Sequence, residues 1–384
     1  MIICVVCDVL GKANNGTSIA AMSLINSLRQ KGHTVRVVCP DTERKGEPDY
    51  FVVPPLALGP FSRYVQKNGV VIAKPSKKVL KDALHKADHL HIMTPFLLGS
   101  MAVRMAKKQG ISITAGFHCQ AENFTSHIFM KNNSLANFIT YKVFYHHCYR
   151  YVDAIHYPSE FIKDVFERYA GKTNAFVISN GVSKDFKPTN TERPKEFEGK
   201  KAILFTGRYS KEKSHKILID AAKKSSYSDS IQLVFAGDGP LKEKLIKRSK
   251  GLKNPPVFRF FSRKELVRII NSCDLYVHPA EIEIEAIACL EAISCGLVPV
   301  ISDSPRSATR YFAIDEKNLF PVNDSIALAK RIDYWLNHPE EKNKRRKEYL
   351  NYTEKFDFDK CMSKMEEMIV KTNESKKAVG RKNG

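Results

Sequence analysis

The chain lacks most of the features that would take it out of the ordinary globular class. No run of about 18 apolar residues occurs, so no segment is expected to span a membrane. A strand expected from Ile2 leaves no room ahead of it for a secretory signal, and the chain is expected to stay in the cytoplasm. The nine cysteines are an odd, scattered set in apolar surroundings, which argues against a disulfide framework and for reduced, buried thiols. Cys4 and Cys7 form a C-x-x-C inside a hydrophobic strand with no second pair, so neither zinc nor redox chemistry follows. No G-x-G-x-x-G fingerprint occurs. Gly11 to Gly16 has the glycine frame of a phosphate-binding P-loop, but Thr17 and Ser18 follow where Lys and Ser/Thr belong, which sets an NTPase aside.

Acidic residues are also in short supply: 41 Asp and Glu face 62 Lys and Arg, a net charge of +21 spread over both halves. Anionic partners fit such a surface, whether nucleotide phosphates, nucleic acid or an acidic membrane. No aromatic–basic nucleic-acid motif or zinc finger accompanies the charge, so nucleic acid is not expected as a partner.

What is present is a repeated alternation of short apolar runs and amphipathic segments over 384 residues, a length that suits two domains. Ile2–Cys7, Thr34–Cys39, His89–Met93, Ser112–Gly116, Ala154–Tyr157 and Asn174–Ser179 read as buried strands, with helices such as Thr17–Lys31 and Leu98–Gln109 between them. The pattern restarts at Lys201–Thr206 and runs through Ile231–Ala236, Val257–Phe260, Leu275–Val277 and Val298–Ile301. The expectation is an α/β protein of two Rossmann-like domains facing a cleft, with ligands at the carboxyl ends of the strands. The domains are drawn at 1–182 and 200–355, with a Pro-rich polar linker at 183–199 and a C-terminal helix and frayed polar tail at 356–384.

Chemistry-bearing residues fall at predicted strand ends. Gly16 opens the first helix, where backbone N–H groups suit an anion. Gly207 and Arg208 follow a strand, with Lys213 five residues on; a planar fork plus a point charge makes a diphosphate clamp, against the alternative of a solvated basic loop. Gly237 begins the turn Gly237-Asp238-Gly239-Pro240, for which a plain tight turn is an adequate account. Glu283 and Glu291 stand eight positions apart; in a helix starting at Glu283 both would lie near one face and suit a ligand of sugar length. The alternative is a solvated acidic first turn. His118 ends a strand, where catalytic groups collect, and Asp357-Phe358-Asp359 reads as a helix cap and not as a metal site.

In this order and spacing the residues resemble the family-4 glycosyltransferases, retaining nucleotide-sugar enzymes of the GT-B fold. The resemblance runs from residue 1 to about 370. It rests on the Gly16 loop, Gly32-His33-Thr34-Val35, Phe117-His118, Ser179-Asn180-Gly181-Val182, Gly207-Arg208 with Lys213, Gly237-Asp238-Gly239-Pro240, and Glu283-x7-Glu291. It implies that Arg208 and Lys213 hold the donor diphosphate, Glu291 the ribose hydroxyls and Glu283 the transferred sugar. Gly16 admits the β-phosphate, and His118 sits beside the sugar. The chain departs from the family at Ile284-Glu285-Ala286, where a Gly-Phe-Gly-like run is usual.

The implied reaction is retaining transfer of a hexose, from UDP-glucose, to a hydroxyl. Cationic side chains and a helix end replace a metal, and there is no cofactor because the nucleotide-sugar is a substrate. Aromatic and basic residues interleave over Phe124–Arg150 and suit an anionic membrane surface, though a core helix with a basic outer face would read the same. A lipid acceptor such as diacylglycerol on the cytoplasmic face follows from the membrane reading. The alternatives are a polysaccharide or lipid-linked glycan acceptor, and a non-catalytic nucleotide-sugar-binding protein.

Overall fold

The computed structural model describes residues 1–10, 16–57, 59, 71–126 and 132–382. It comprises two compact units, Met1–Asn180 with Cys361–Gly384, and Gly181–Lys360. The first unit contains β1 (Ile2–Val6), α1 (Gly16–Gln30), β2 (Thr34–Cys39), β3 (Tyr50–Val52), α2 (Lys77–Leu84), β4 (His89–Ile92), α3 (Leu97–Lys108) and β5 (Ser112–Gly116). It continues with α4 (Ala121–Ser126), α5 (Ser134–His147), β6 (Ala154–Tyr157), α6 (Glu160–Ala170) and β7 (Ala175–Val177). Its seven strands are all parallel in the order β3-β2-β1-β4-β5-β6-β7. Helices cover both faces of such a sheet, so its inner strands are buried on both sides: β4 and β5 are buried throughout, including the polar side chains of His89, His91, Ser112 and Thr114.

The second unit carries β8 (Lys201–Thr206), α7 (His215–Lys224), β9 (Ile231–Ala236), α8 (Lys242–Arg248), β10 (Val257–Arg259), α9 (Arg263–Ser272) and β11 (Leu275–His278). α10 (Ile287–Ser294), β12 (Pro299–Asp303), β13 (Leu319–Pro321), α11 (Ser325–Asn337) and α12 (Pro339–Thr353) follow. Its six parallel strands run β10-β9-β8-β11-β12-β13. Strand order reverses between β8 and β11, which is where doubly wound sheets bind their ligands.

The segment 183–199, expected as a linker, is part of the second unit. Phe186 and Phe197 are buried in its core, and Arg193 pairs with Asp274 at 2.7 Å. The last helix, α13 (Phe358–Lys382), begins in the second unit and docks on the first. Glu366 pairs with Lys31 and His33, Lys376 with Asp153, and Lys377 with Asp88. The tail expected to fray is therefore helical to Lys382. Asp357 accepts the Lys360 N–H at 2.9 Å as a helix cap.

Candidate functional site

In the second unit the loops after β8 and β11 leave neighbouring strands at the reversal point. Lys213, in the first loop, forms an ion pair with Glu283, in the second. His278, the last residue of β11, reaches the same carboxylate oxygen from beneath at 3.2 Å, and Tyr276 O–H lies 3.1 Å from its Nδ1. Burial pushes the Glu283 carboxyl up, but Lys213 and His278 outweigh it and hold the group at about 2, so it is an anion at neutral pH. Burial also pushes His278 down, partly offset by Glu283. Main-chain bonds fix the two loops to each other: the Glu281 N–H donates to the Glu212 carbonyl at 2.8 Å.

Glycine lets the loops after β8 and β9 approach each other. A Cβ on Gly237 would stand 2.1 Å from the Gly207 carbonyl oxygen, so neither loop could hold its path with a larger residue at that position. The Gly207 N–H donates to the Ala236 carbonyl, and the Tyr209 N–H to Asp238. Arg208 sits between them, half-buried; burial lowers its pKa, and Glu212 and Asp238 oppose that shift.

Glu283 does not begin a helix, contrary to the expectation that it shares a helical face with Glu291. Its backbone forms a parallel bridge with Ser307, and its carbonyl accepts the Ala308 N–H at 2.9 Å. The helix starts only at Ile287, after Ala286, whose φ of 60° and ψ of 59° are left-handed and rare for alanine. Ala286 stands where the resemblance leads one to expect glycine, and the backbone there keeps a glycine-like conformation. Glu291 lies in the second turn of α10, and burial raises its carboxyl to about 7, with Arg263 pulling the other way.

In the first unit, Gly16 opens α1, exposed, with nothing within 4 Å of where a Cβ would stand. Gly11 lies outside the described residues. His118 is the second residue after β5, next to Phe117. The Phe117 ring packs among Tyr141, Tyr149, Tyr157 and Phe166 at 4.5–6.4 Å. Burial, then neighbouring His156, drive His118 down to about 3, so it is neutral.

Sequence reasoning missed two groups at strand ends. His278, which sits under Glu283, was signalled by a polar residue closing a wholly apolar strand. Asp8, just past β1, accepts the Leu98 and Gly99 N–H groups at 2.9 and 3.1 Å and so ties that strand end to the start of α3. Burial raises Asp8 to about 6 against those bonds.

Of the surface over Phe124–Arg150, Ile128, Phe129, Met130 and Lys131 lie outside the described residues. Within α5, Tyr141 and Phe144 face the core, while Leu135, Phe138, Ile139 and Val143 are exposed, Leu135 by 64% and Ile139 by 52%. Lys142 lies against the Phe138 ring at 5.6 Å, within that apolar stripe. Among the described residues no helix is long and apolar enough to cross a membrane.

Comparison with known proteins agrees with this architecture. Residues 14–186 match the model of Glycosyltransferase Family 4, and residues 186–353 that of Glycosyl transferases group 1. An alpha-monoglucosyldiacylglycerol synthase of Streptococcus pneumoniae is 26% identical over 57% of this chain, and the match spans 52% of that relative's length. A GDP-mannose-dependent alpha-mannosyltransferase of Corynebacterium glutamicum is also 26% identical, over 79% of this chain and 71% of its own. The catalytic domain of cholesterol-alpha-glucosyltransferase from Helicobacter pylori is 44% identical, covering 40% of this chain and 96% of that one, with a TM-score of 0.39. The structure of Anabaena HepE with UDP and glucose covers 96% of this chain and 99% of its own at 17% identity, with a TM-score of 0.73. Two parallel doubly wound sheets and two family models spanning most of the sequence make this chain a member of the family-4 glycosyltransferases of the GT-B fold.

Proposed function

We propose that this glycosyltransferase moves glucose from UDP-glucose to the hydroxyl of a membrane lipid such as diacylglycerol, with retention at the anomeric carbon and without a metal. The observation that carries the reading is the Lys213–Glu283–His278 array at the reversal point of the second sheet. It sets a permanent carboxylate beside a cation on two loops bound to each other, a match for a ligand that is sugar at one end and diphosphate at the other. Glu283 accepts sugar hydroxyls, and Glu291 the ribose hydroxyls. Lys213 and Arg208 take the diphosphate, with Gly207 and Gly237 giving their loops close approach. Gly16 offers helix N–H groups to phosphate, and His118 lies beside the transferred sugar.

Negative charge grows on the leaving diphosphate as the glycosidic bond stretches, and fixed cations stabilise it there without reorganising. The leaving phosphate itself takes the acceptor's proton. The lipid acceptor is supported by the exposed apolar stripe of α5 with Lys142 inside it, which suits a peripheral enzyme on an anionic cytoplasmic leaflet. A relative that makes glucosyldiacylglycerol supports both glucose and lipid.

The purified protein should be offered UDP-glucose, UDP-galactose and GDP-mannose, each with diacylglycerol vesicles, sterol-containing vesicles and soluble glycans. Glucolipid formed only from UDP-glucose and only on vesicles supports the reading. Transfer to glycans alone, or donor binding with neither transfer nor hydrolysis, overturns it.

A further inference from the structure

Glu283 meets its two partners through one oxygen. Lys213 Nζ and His278 Nε2 both reach Oε1, the histidine at 3.2 Å, and Oε2 takes part in neither bond. The two partners differ in what holds them. Lys213 is a point charge on a flexible four-carbon stem. His278 closes β11 and is fully buried. The Tyr276 ring lies roughly parallel to it with centroids 5.9 Å apart, and the Phe205 ring meets it edge to face at 5.4 Å. Residues two apart on a strand point to one face, which is why Tyr276 and His278 lie side by side.

The ring proton is placed by the anion. An ionised carboxylate only accepts, so the nitrogen that faces Oε1 carries the hydrogen, and His278 is protonated at Nε2. Burial pushes the ring below the ordinary histidine range, so at pH 7 it is neutral and keeps that one proton. Nδ1 is then bare, and at 3.1 Å it accepts the Tyr276 O–H. The series runs in one direction, from the Tyr276 hydroxyl to the His278 ring and from His278 Nε2–H to Glu283.

The main chain of Glu283 is fixed as well. Its N–H donates to the Arg306 carbonyl at 3.4 Å, and its carbonyl accepts the Ala308 N–H at 2.9 Å. With the backbone and Oε1 both held, the direction of Oε2 is set. In the proposed function Lys213 also takes the donor diphosphate, which carries more negative charge than a carboxylate. A bound diphosphate therefore draws the lysine away from Glu283. His278 has no such second duty: its ring is packed between Tyr276 and Phe205, and its other nitrogen is taken by Tyr276.

We infer that His278, oriented by Tyr276, is a positioning residue that keeps Glu283 Oε1 anchored when Lys213 turns to the diphosphate, and so presents Oε2 to the sugar hydroxyls. The inference rests on the proposed place of Glu283 at the transferred sugar, and it adds to the site two residues that never touch substrate. One ring nitrogen's bond setting the state of the other is how buried histidines are commonly oriented.

The test has two arms. In nitrogen NMR of the whole protein with labelled histidine, the His278 ring is assigned by its loss in His278→Gln. Wild type should show a protonated-type shift at Nε2 and an unprotonated-type shift at Nδ1, with and without UDP. In steady-state kinetics with UDP-glucose, His278→Phe should lower kcat/KM about tenfold, the low end for a hydrogen bond to a charged group, and leave inhibition by UDP unchanged. A merely structural lesion would weaken both. His278→Gln still aims an N–H at Oε1 and should recover most of the loss. Tyr276→Phe removes a single oxygen and should cost about threefold with the same split, a comparison that stands even if His278→Phe fails to fold. A wild-type His278 protonated at Nδ1 overturns the inference. So does unaltered kcat/KM in both His278→Phe and Tyr276→Phe beside an impaired Glu283→Gln. Full kcat/KM in Glu283→Gln instead sinks the sugar reading on which the inference rests.

Discussion

Replacing Lys213 by methionine keeps most of the buried stem and removes the charge that faces Glu283. The size of the effect follows from the carboxyl's own shift. Glu283 is held at about 2 in the fold, against an ordinary value of 4.5. A carboxylate depressed by that much contributes about 3 kcal/mol to folding at neutral pH. The sign is that of a lowered acid: the contribution is complete above pH 4.5 and is lost as the pH falls from there towards 2. Lys213→Met strands a buried anion beside His278 alone and should forfeit most of it.

Trp335 makes the measurement clean. It is the chain's one tryptophan, and it is fully buried in the core of the second unit, so its fluorescence reports the unfolding of the unit that contains the pair. At pH 7 the variant should melt roughly 10 °C lower, taking ~2–4 °C per kcal/mol for a unit of this size. The deficit should shrink as the pH falls below 4.5, where the carboxyl of the unfolded chain takes up its proton and the advantage of the folded anion is progressively lost. Lys213→Met with Glu283→Gln should recover much of the loss, because the stranded charge is gone. A variant that melts with wild type at pH 7, or is equally impaired at pH 7 and pH 4, would refute the argument.

Other outcomes are independent of that pair. Arg208→Ala should lower turnover by about 10²-fold, the usual result of losing one group that stabilises developing charge, and steady-state rates with wild-type melting check it. Glu291 has its carboxyl raised to about 7, so it is neutral below that pH and a strong acceptor above it. kcat/KM for the donor should accordingly rise with pH through about 7, and a profile unchanged in Glu291→Gln would count against the ribose contact. Ala286→Gly should raise the Trp335-monitored stability by up to about 1 kcal/mol, since a left-handed φ of 60° strains alanine and not glycine. Lys142→Ala should weaken binding to anionic vesicles, as should added salt, in co-sedimentation; equal binding to neutral vesicles would move the acceptor away from the membrane.

The long strands were legible because a parallel strand buried on both faces is written as a near-continuous apolar run: Thr34–Cys39, interrupted by Arg36, and Ile231–Ala236, interrupted by Gln232, end where the sequence says. The three-residue strands β3 and β13 carry too little pattern to be seen. α12 was invisible for the opposite reason: it is so densely charged that only Tyr349 and Thr353 are buried, and it has no apolar stripe to reveal a period. Residues 183–199 have the prolines and charges of a linker, yet two phenylalanines anchor them in a core that only the tertiary fold creates.

At the site the limit was of a different kind. Residue types and strand ends pointed to Arg208, Lys213, Glu283, Glu291 and His118, but the relation between Glu283 and Glu291 depended on where a helix begins. A helix was expected from the acidic first turn, whereas the backbone at Ala286 is left-handed and delays it to Ile287. Glycine announces such a conformation in sequence and alanine conceals it. The delay has a chemical result. Glu283 is left on a bridged loop against Lys213 and His278 as a fixed anion, while Glu291 sits within the helix with a carboxyl that titrates near neutrality. Two carboxylates that looked equivalent as an eight-residue spacing are thereby given different charge states at the same pH, one permanent and one adjustable.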